Sequence, residues 1–182
     1  MPIAGLTIIG ESINDSVPST QALFEANDIA GILNLAKTQD EKGAGYIDVN
    51  VGRRPPAFMA EMVQRIQGVT AKPLSIDTPD YDTAVAGLHA FDPDRAGGQE
   101  PILNSISPLR MHLFDLHKVR PFMPILMVSE RMEGNEPAAN TTAEETYRTA
   151  KGILSAARNL GLANRQLIID PGIAPIGSDV DG

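Results

Sequence analysis

One pattern recurs six times along this chain and limits what it can fold into. A short apolar run ends in polar residues, and a longer amphipathic stretch follows it. The apolar runs cover residues 6–10, 46–51, 73–76, 101–103, 123–128 and 166–169. Each is too short for a helix and lacks the strict alternation of a half-exposed strand. That is the pattern of strands buried on both faces of a parallel sheet. The stretches between them carry helical spacing. Met59, Met62, Val63 and Ile66 fall at i, i+3, i+4 and i+7, one face of a helix. Asp80 is placed to cap a helix that buries Ala84, Val85 and Leu88. Residues 27–42 read as a helix burying Ile29, Leu33 and Ala36 and ending at Gly43. Thr141-x-x-Glu144 has the form of a capping box, followed by Tyr147, Ala150, Leu154 and Ala157, with Gly161 as the stop. Residues 109–119 read as a further helix.

Strands alternating with helices imply a parallel sheet with right-handed crossovers. A doubly wound open sheet and a TIM barrel both satisfy this. The 182 residues divide into six units of about 30 residues, whereas a barrel of eight units needs about 250. As a barrel, the chain would lack its last two units. No linker or shift in composition divides it, so residues 1–182 are expected to belong to one domain. Gly97-Gly98 and residues 133–137 read as exposed loops, and the sequence stops at residues 179–182, shortly after a strand.

Composition narrows the chemistry. The 15 basic and 23 acidic residues give a net charge of −8, which argues against nucleic acid or an anionic membrane as the partner. The absence of cysteine removes disulfides, thiol nucleophiles and cysteine-ligated metals, and agrees with a cytoplasmic protein. No apolar run approaches the roughly 20 residues of a membrane span, and the N-terminus has no basic segment of the kind that opens a signal peptide.

The strand ends carry the polar residues. Glu11 and Asn14 follow the first run; Asp48 and Asn50 lie in the second, with Gly52 and Arg53 after it. Asp77-Thr78, Asn104-Ser105, Ser129-Glu130 and Asp170-Pro171-Gly172 end the others. Parallel strands bring their C-terminal ends to one face, where ligands bind in both architectures. Each such residue is equally at home as a helix cap or turn former. As a set, ionised Asp77 and Asp170 accept hydrogen bonds, and Asn104 both donates and accepts. They complement a flat heterocycle with amine and ring N–H donors beside a carbonyl, such as a pterin or guanine edge. A divalent metal held by carboxylates is the other use of such a set.

Other motifs are missing or weak. There is no dinucleotide-binding, P-loop or serine-hydrolase signature. His89, His112 and His117 fall in helical stretches, away from the strand ends. Arg53-Arg54 suit an anionic substrate tail or a solvated loop, and the methionines suit core filling.

Five of these segments, in order, resemble the pterin-binding methyltransferases. They are Ile9-Gly10-Glu11-Ser12-Ile13-Asn14, Asp48-Val49-Asn50-Val51-Gly52, Ser75-Ile76-Asp77-Thr78, Asn104-Ser105-Ile106 and Ile169-Asp170-Pro171. The nearest group is the methyltetrahydrofolate:corrinoid protein methyltransferases, including the folate domain of cobalamin-dependent methionine synthase; dihydropteroate synthases are more distant. The resemblance implies a TIM barrel, here ending after strand six. It implies transfer of the N5 methyl of 5-methyltetrahydrofolate to the cob(I)amide of a separate corrinoid protein. It also implies a pterin site including Glu11, Asn14, Asn50, Asp77, Asn104 and Asp170. The family's N5-directed asparagine lies after a seventh strand, which this sequence does not contain, so the chain is expected to be part of a longer protein. Family members are often dimers. Asp170-Pro171-Gly172-Ile173 also resembles the sixth-strand motif of dihydropteroate synthases, which keeps a condensing enzyme, or a non-catalytic pterin-binding fragment, as alternatives.

Overall fold

Residues 5–172 are described by the computed structural model, and they form two compact units. Residues 1–4, Ile173 of the expected sixth-strand motif and the stop at 179–182 lie outside the described residues.

The first unit takes in the residues up to Asn104 together with Asp115–Met123. Its strands are β1 (Ile9–Asn14), β2 (Tyr46–Asn50), β3 (Leu74–Asp77) and the first part of β4 (Ile102–Ile106). They lie in that order, each parallel to the next. Helices α1 (Pro18–Glu25), α2 (Ile29–Glu41), α3 (Pro56–Ile66) and α4 (Tyr81–Ala90) supply the crossovers. The central strands are buried as expected: Ile47, Val49, Leu74 and Ile76 have no exposed surface. So are the α3 residues chosen by spacing, Met59, Met62, Val63 and Ile66.

Three sequence expectations for this unit are corrected. The first strand runs from Ile9 to Asn14 instead of 6–10, and Leu6 and Ile8 are exposed. It bulges: Gly10 pairs with Ile47 and Ile13 with Val49, so Glu11 and Ser12 together oppose Asp48. Buried side chains hold the bulge open. The Ser12 N–H donates to Gln39 Oε1 at 2.9 Å, and Thr20 Oγ1 donates to the Ser12 carbonyl at 2.8 Å. Gln39 must therefore face the sheet, and with Ile32 and Ala36 it forms the buried stripe of α2 in place of Ile29 and Leu33. On α4 the buried stripe is Thr83, Ala84, Gly87 and Leu88, with Val85 only half-buried. Gly87 is needed because a Cβ there would lie 2.7 Å from Ile76 Cγ2 and 3.1 Å from Met59 Cγ. Helix α1 was not foreseen. It starts with Pro18 in its first turn and buries Thr20 and Phe24.

Asp80 caps α4 as expected, accepting from the Thr83 N–H at 2.8 Å and from Thr83 Oγ1 at 2.6 Å. Both donors hold its carboxyl below the ordinary range. Asp80→Ala is expected to cost about 1 kcal/mol. A carboxyl with a depressed folded value contributes its stability above its unfolded value and loses it as pH falls through the folded one. The melting-temperature gap between this variant and the wild type should therefore be full at neutral pH and close in acid. A gap unchanged by acid would contradict it.

The second unit comprises Ser105–Phe114 and the residues from Pro124 onward. Within it β5 (Met123–Met127) pairs in parallel with β8 (Ile168–Asp170), with Leu126 opposite Ile169. The expected exposed loop at 133–137 is a hairpin, β6 (Glu130–Glu133) against β7 (Glu136–Ala139), turning at Gly134-Asn135 with Gly134 at φ 63°. Helix α5 (Ala143–Asn159) carries its capping box one residue later than expected. The Thr142 hydroxyl accepts from Glu145 N–H, and the Glu145 carboxylate accepts from the Thr142 and Thr141 N–H groups. That register buries Ile153 and Ala157 and leaves Tyr147 exposed. Gly161, at φ 87°, ends the helix as expected. In place of a helix at 109–119 there are tighter 3-10 turns at Met111–Lys118, closed by i to i+3 bonds such as Leu113 N–H to the Arg110 carbonyl. No described helix is long and apolar enough to cross a membrane.

Candidate functional site

In the first unit the strand pleat sorts polar from apolar. Along Tyr46-Ile47-Asp48-Val49-Asn50 the side chains alternate, so Asp48 and Asn50 share one face of β2. Ser75 and Asp77 share a face of β3. The register puts Asp48 beside Ser75, and Asp77 beside Asn104 of β4. Two polar layers result: Asp48 with Ser75 lower, and above them Asn50 and Asp77 at their strand ends with Asn104, which lies in the middle of β4 instead of at the expected strand end.

The upper layer is oriented by hydrogen bonds. Asn50 Nδ2 donates to Asp77 Oδ2 at 2.8 Å, and Asn50 Oδ1 accepts from the Gly52 N–H at 2.9 Å. Gly52 adopts φ 63° and lies so close to the Asp15 carboxylate that a Cβ would collide with it. Asp15 in turn receives Arg54 Nη1 at 2.6 Å. Arg54 lies 4.4 Å above the Phe24 ring and also donates to the Val51 carbonyl, so this arginine braces the loop. Arg53 is exposed and lines a hollow of about 410 Å³ beyond the ends of β2 and β3, together with Thr78 and Asp80.

Acidity is concentrated here. Burial raises the Asp77 carboxyl; donation from Asn50 opposes the rise and repulsion from Glu11 adds to it. Asp48 is 1% exposed, and both its oxygens lack a hydrogen-bond partner among the described residues. Burial, with Asp77 and then Glu11 adding repulsion, pushes it up to about 8, although Ser75 and Asn104 lie near enough to temper the shift. Glu11 reaches this group because the bulge re-aims it. Among the described residues no cluster of three or more His, Asp or Glu is placed to hold a metal ion.

Three expected residues thus act on one another, Glu11, Asn50 and Asp77, and a fourth, Asn104, lies beside Asp77 in the register and near Asp48. Asn14 does not join them through its carbonyl, since its Oδ1 accepts from the Ser16 N–H in a local turn at 2.8 Å. Asp170 ends β8 in the second unit, and its Oδ1 accepts from the Gly172 N–H at 2.8 Å. Beside it, a cleft of about 550 Å³ is lined by Ser129, Glu130, Asn140 and Gly172. The residues that sequence reasoning did not assign to the site are Asp48 and Ser75. The signal was present: polar side chains at 48 and 50 alternate with isoleucine and valine, so a buried strand had to turn both acid and amide to the same side.

Comparison with known proteins adds the family. Residues 13–181 match the family described as pterin binding enzyme. A methylcorrinoid:tetrahydrofolate methyltransferase of Eubacterium limosum is 25% identical, over 96% of this chain and 63% of its own length. The dihydropteroate synthase of Vibrio fischeri has a similar structure, with a TM-score of 0.64 at 16% identity, covering 96% of this chain and 64% of that one. That of Xanthomonas albilineans, in complex with 7,8-dihydropteroate, gives 0.62 at 18% identity, over 96% and 62%. These likenesses bear out the expected barrel-type α/β fold. The chain spans under two thirds of the length of each of these relatives.

Proposed function

This chain belongs to the pterin-binding enzyme family, and from that premise we propose that it binds a reduced folate and moves a methyl group between the folate N5 and the cobalt of a corrinoid held by a separate protein. The observation that carries the reading is the polar layer in which the Asp77 carboxylate, held by Asn50, stands beside Asn104, with the acids Glu11 and Asp48 flanking it. A pterin ring presents a 2-amino group and ring N–H donors along one edge, which such a layer can receive.

The chemistry suits that lining. When methyltetrahydrofolate gives up its methyl, the C–N5 bond breaks, its electron pair stays on nitrogen, and N5 takes a proton. N5 is a poor leaving group unless it is protonated or strongly hydrogen-bonded. Carboxylates around the ring favour the protonated form of N5 over the neutral amine before the bond breaks, and protonation is what makes N5 a competent leaving group. The methyl donor or acceptor on the other side is the corrinoid substrate. The Eubacterium limosum relative, with a methylcorrinoid and tetrahydrofolate in its name, supports this choice over condensation.

The test is an anaerobic, reducing assay of the full-length protein with methyltetrahydrofolate and free cob(I)alamin, followed by its absorbance. Methyl transfer in either direction is the expected result. Tight tetrahydrofolate binding without transfer would reduce the protein to a pterin binder. Release of pyrophosphate from a pterin pyrophosphate and p-aminobenzoate, with no methyl transfer, would replace the reading by a dihydropteroate synthase.

A further inference from the structure

The lower polar layer is the least satisfied part of the first unit. Asp48 Oδ1, Asp48 Oδ2 and Ser75 Oγ are all buried, and none has a hydrogen-bond partner among the described residues. Buried polar atoms without partners are uncommon and costly, so a cluster of three on adjacent strands calls for an explanation. The groups facing Asp48 are Glu11 from β1, Ser75 and Asp77 from β3, and Asn104 from β4. The ionisable ones among them are both acids. An ionised Asp48 would be a third negative charge with no counter-charge among these neighbours.

We propose that Asp48 is a positioning residue whose protonated carboxyl donates a hydrogen bond to the Asn104 side-chain carbonyl, and so turns the Asn104 N–H groups toward the ligand. Small side-chain rotations complete the chain. The Ser75 hydroxyl donates to one Asp48 oxygen, and the other Asp48 oxygen carries the proton to Asn104, so all three orphaned atoms find partners. The proton matters because an ionised carboxylate can only accept, and it would claim the Asn104 N–H groups for itself. The direction of burial and repulsion on Asp48 agrees with a neutral carboxyl below about pH 8. The proposal rests on the pterin reading for its ligand, and on that alone.

The experiment has two arms. Calorimetric titration with tetrahydrofolate, whose pterin ring does not change charge over the range used, follows affinity from about pH 6.5 to about pH 9. Wild-type affinity is expected to fall about tenfold across that range as Asp48 loses its proton. Asp48→Ala is expected to bind about tenfold more weakly at the lower pH and to show no fall. Asp48→Asn, whose NH₂ donates where the carboxyl did, is expected to recover most of that affinity and hold it to the upper pH. An Asp48→Asn profile as steep as the wild type, or a variant as weak as Asp48→Ala, would overturn the proposal. The second arm needs no ligand. In the free protein, the side-chain amide resonances of Asn104 should titrate in the wild type and stay still in Asp48→Asn; resonances that do not move in the wild type would overturn it. If tetrahydrofolate fails to bind at every pH, the pterin reading fails, and the Asn104 resonances still decide the role of Asp48.

Discussion

Replacing Asp77 with alanine is expected to weaken tetrahydrofolate binding by roughly tenfold to a hundredfold while leaving the melting temperature nearly unchanged. The magnitude follows from a hydrogen bond to a charged group, worth about 1.5–3 kcal/mol when its partner is present. The asymmetry follows from the free protein. There Asp77 is opposed by burial and by Glu11, and among the described residues it is supported by the bond from Asn50 alone. A carboxyl in that setting contributes little to folding, so its removal should be felt when a donor-rich ring arrives. Titration calorimetry and thermal melting of the same preparation separate the two effects. A collapse in melting temperature with unchanged affinity would make Asp77 a structural residue and remove the ligand from this layer.

The neighbouring residue should behave in the opposite way. Ile76 has no exposed surface, and it points to the other side of β3, where its Cγ2 and Cδ1 meet Gly87 of α4. Ile76→Ala deletes buried atoms beneath a helix that is already as close as glycine permits, so little collapse can fill the cavity. The expected cost is about 2–5 kcal/mol. For a chain of this length that corresponds to a fall of roughly 4–20 °C in melting temperature. Tetrahydrofolate affinity of the folded protein should change by less than about threefold, since the removed atoms lie across the sheet from the polar layers. A loss under about 1 kcal/mol would mean that α4 does not pack on β3 as described.

These adjacent residues also indicate what could be read from the sequence. Runs such as Ile47–Val49 and Leu74–Ile76 are buried on both sides, and that condition leaves a direct mark on composition, so the strands and their parallel order were legible. Helix α3 was legible for the same reason, since its buried face obeys a simple spacing. What depended on distant partners was not. The first strand shifted because Gln39 and Thr20, far along the chain, satisfy the backbone of a bulge that no local pattern announces. The hairpin at Glu130–Ala139 lacks the alternating apolar residues of a strand, and it is held partly by Arg131, which reaches the Ala139 carbonyl and pairs with Glu133 and Glu145. The capping box was displaced by one residue because Thr141 and Thr142 are chemically alike, and only the geometry of the turn chooses between their hydroxyls.

The same division runs through the candidate site. Asp77 is legible because strand ends face the ligand side of parallel α/β folds, whereas Asn104 lies in the middle of β4 and joins the layer through its register with Asp77. Asn14 sits at a strand end too, yet its side-chain carbonyl serves a turn, a use that residue type alone does not distinguish. Asp48 counts among the polar residues of the strand runs but not among the expected pterin-binding set. Its importance comes from missing partners, and those are visible only when the neighbouring strands are in place.

The claim that matters most is that the inner faces of β2, β3 and β4 receive a pterin. Its most direct test is a crystal structure of the protein with tetrahydrofolate bound. The account predicts the amine and ring N–H edge within hydrogen-bond distance of Asp77, a ring acceptor within reach of the Asn104 N–H groups, and Asn50 still bonded to Asp77. A well-ordered pterin ring bound elsewhere, with Asp77 touching nothing but Asn50, would contradict it.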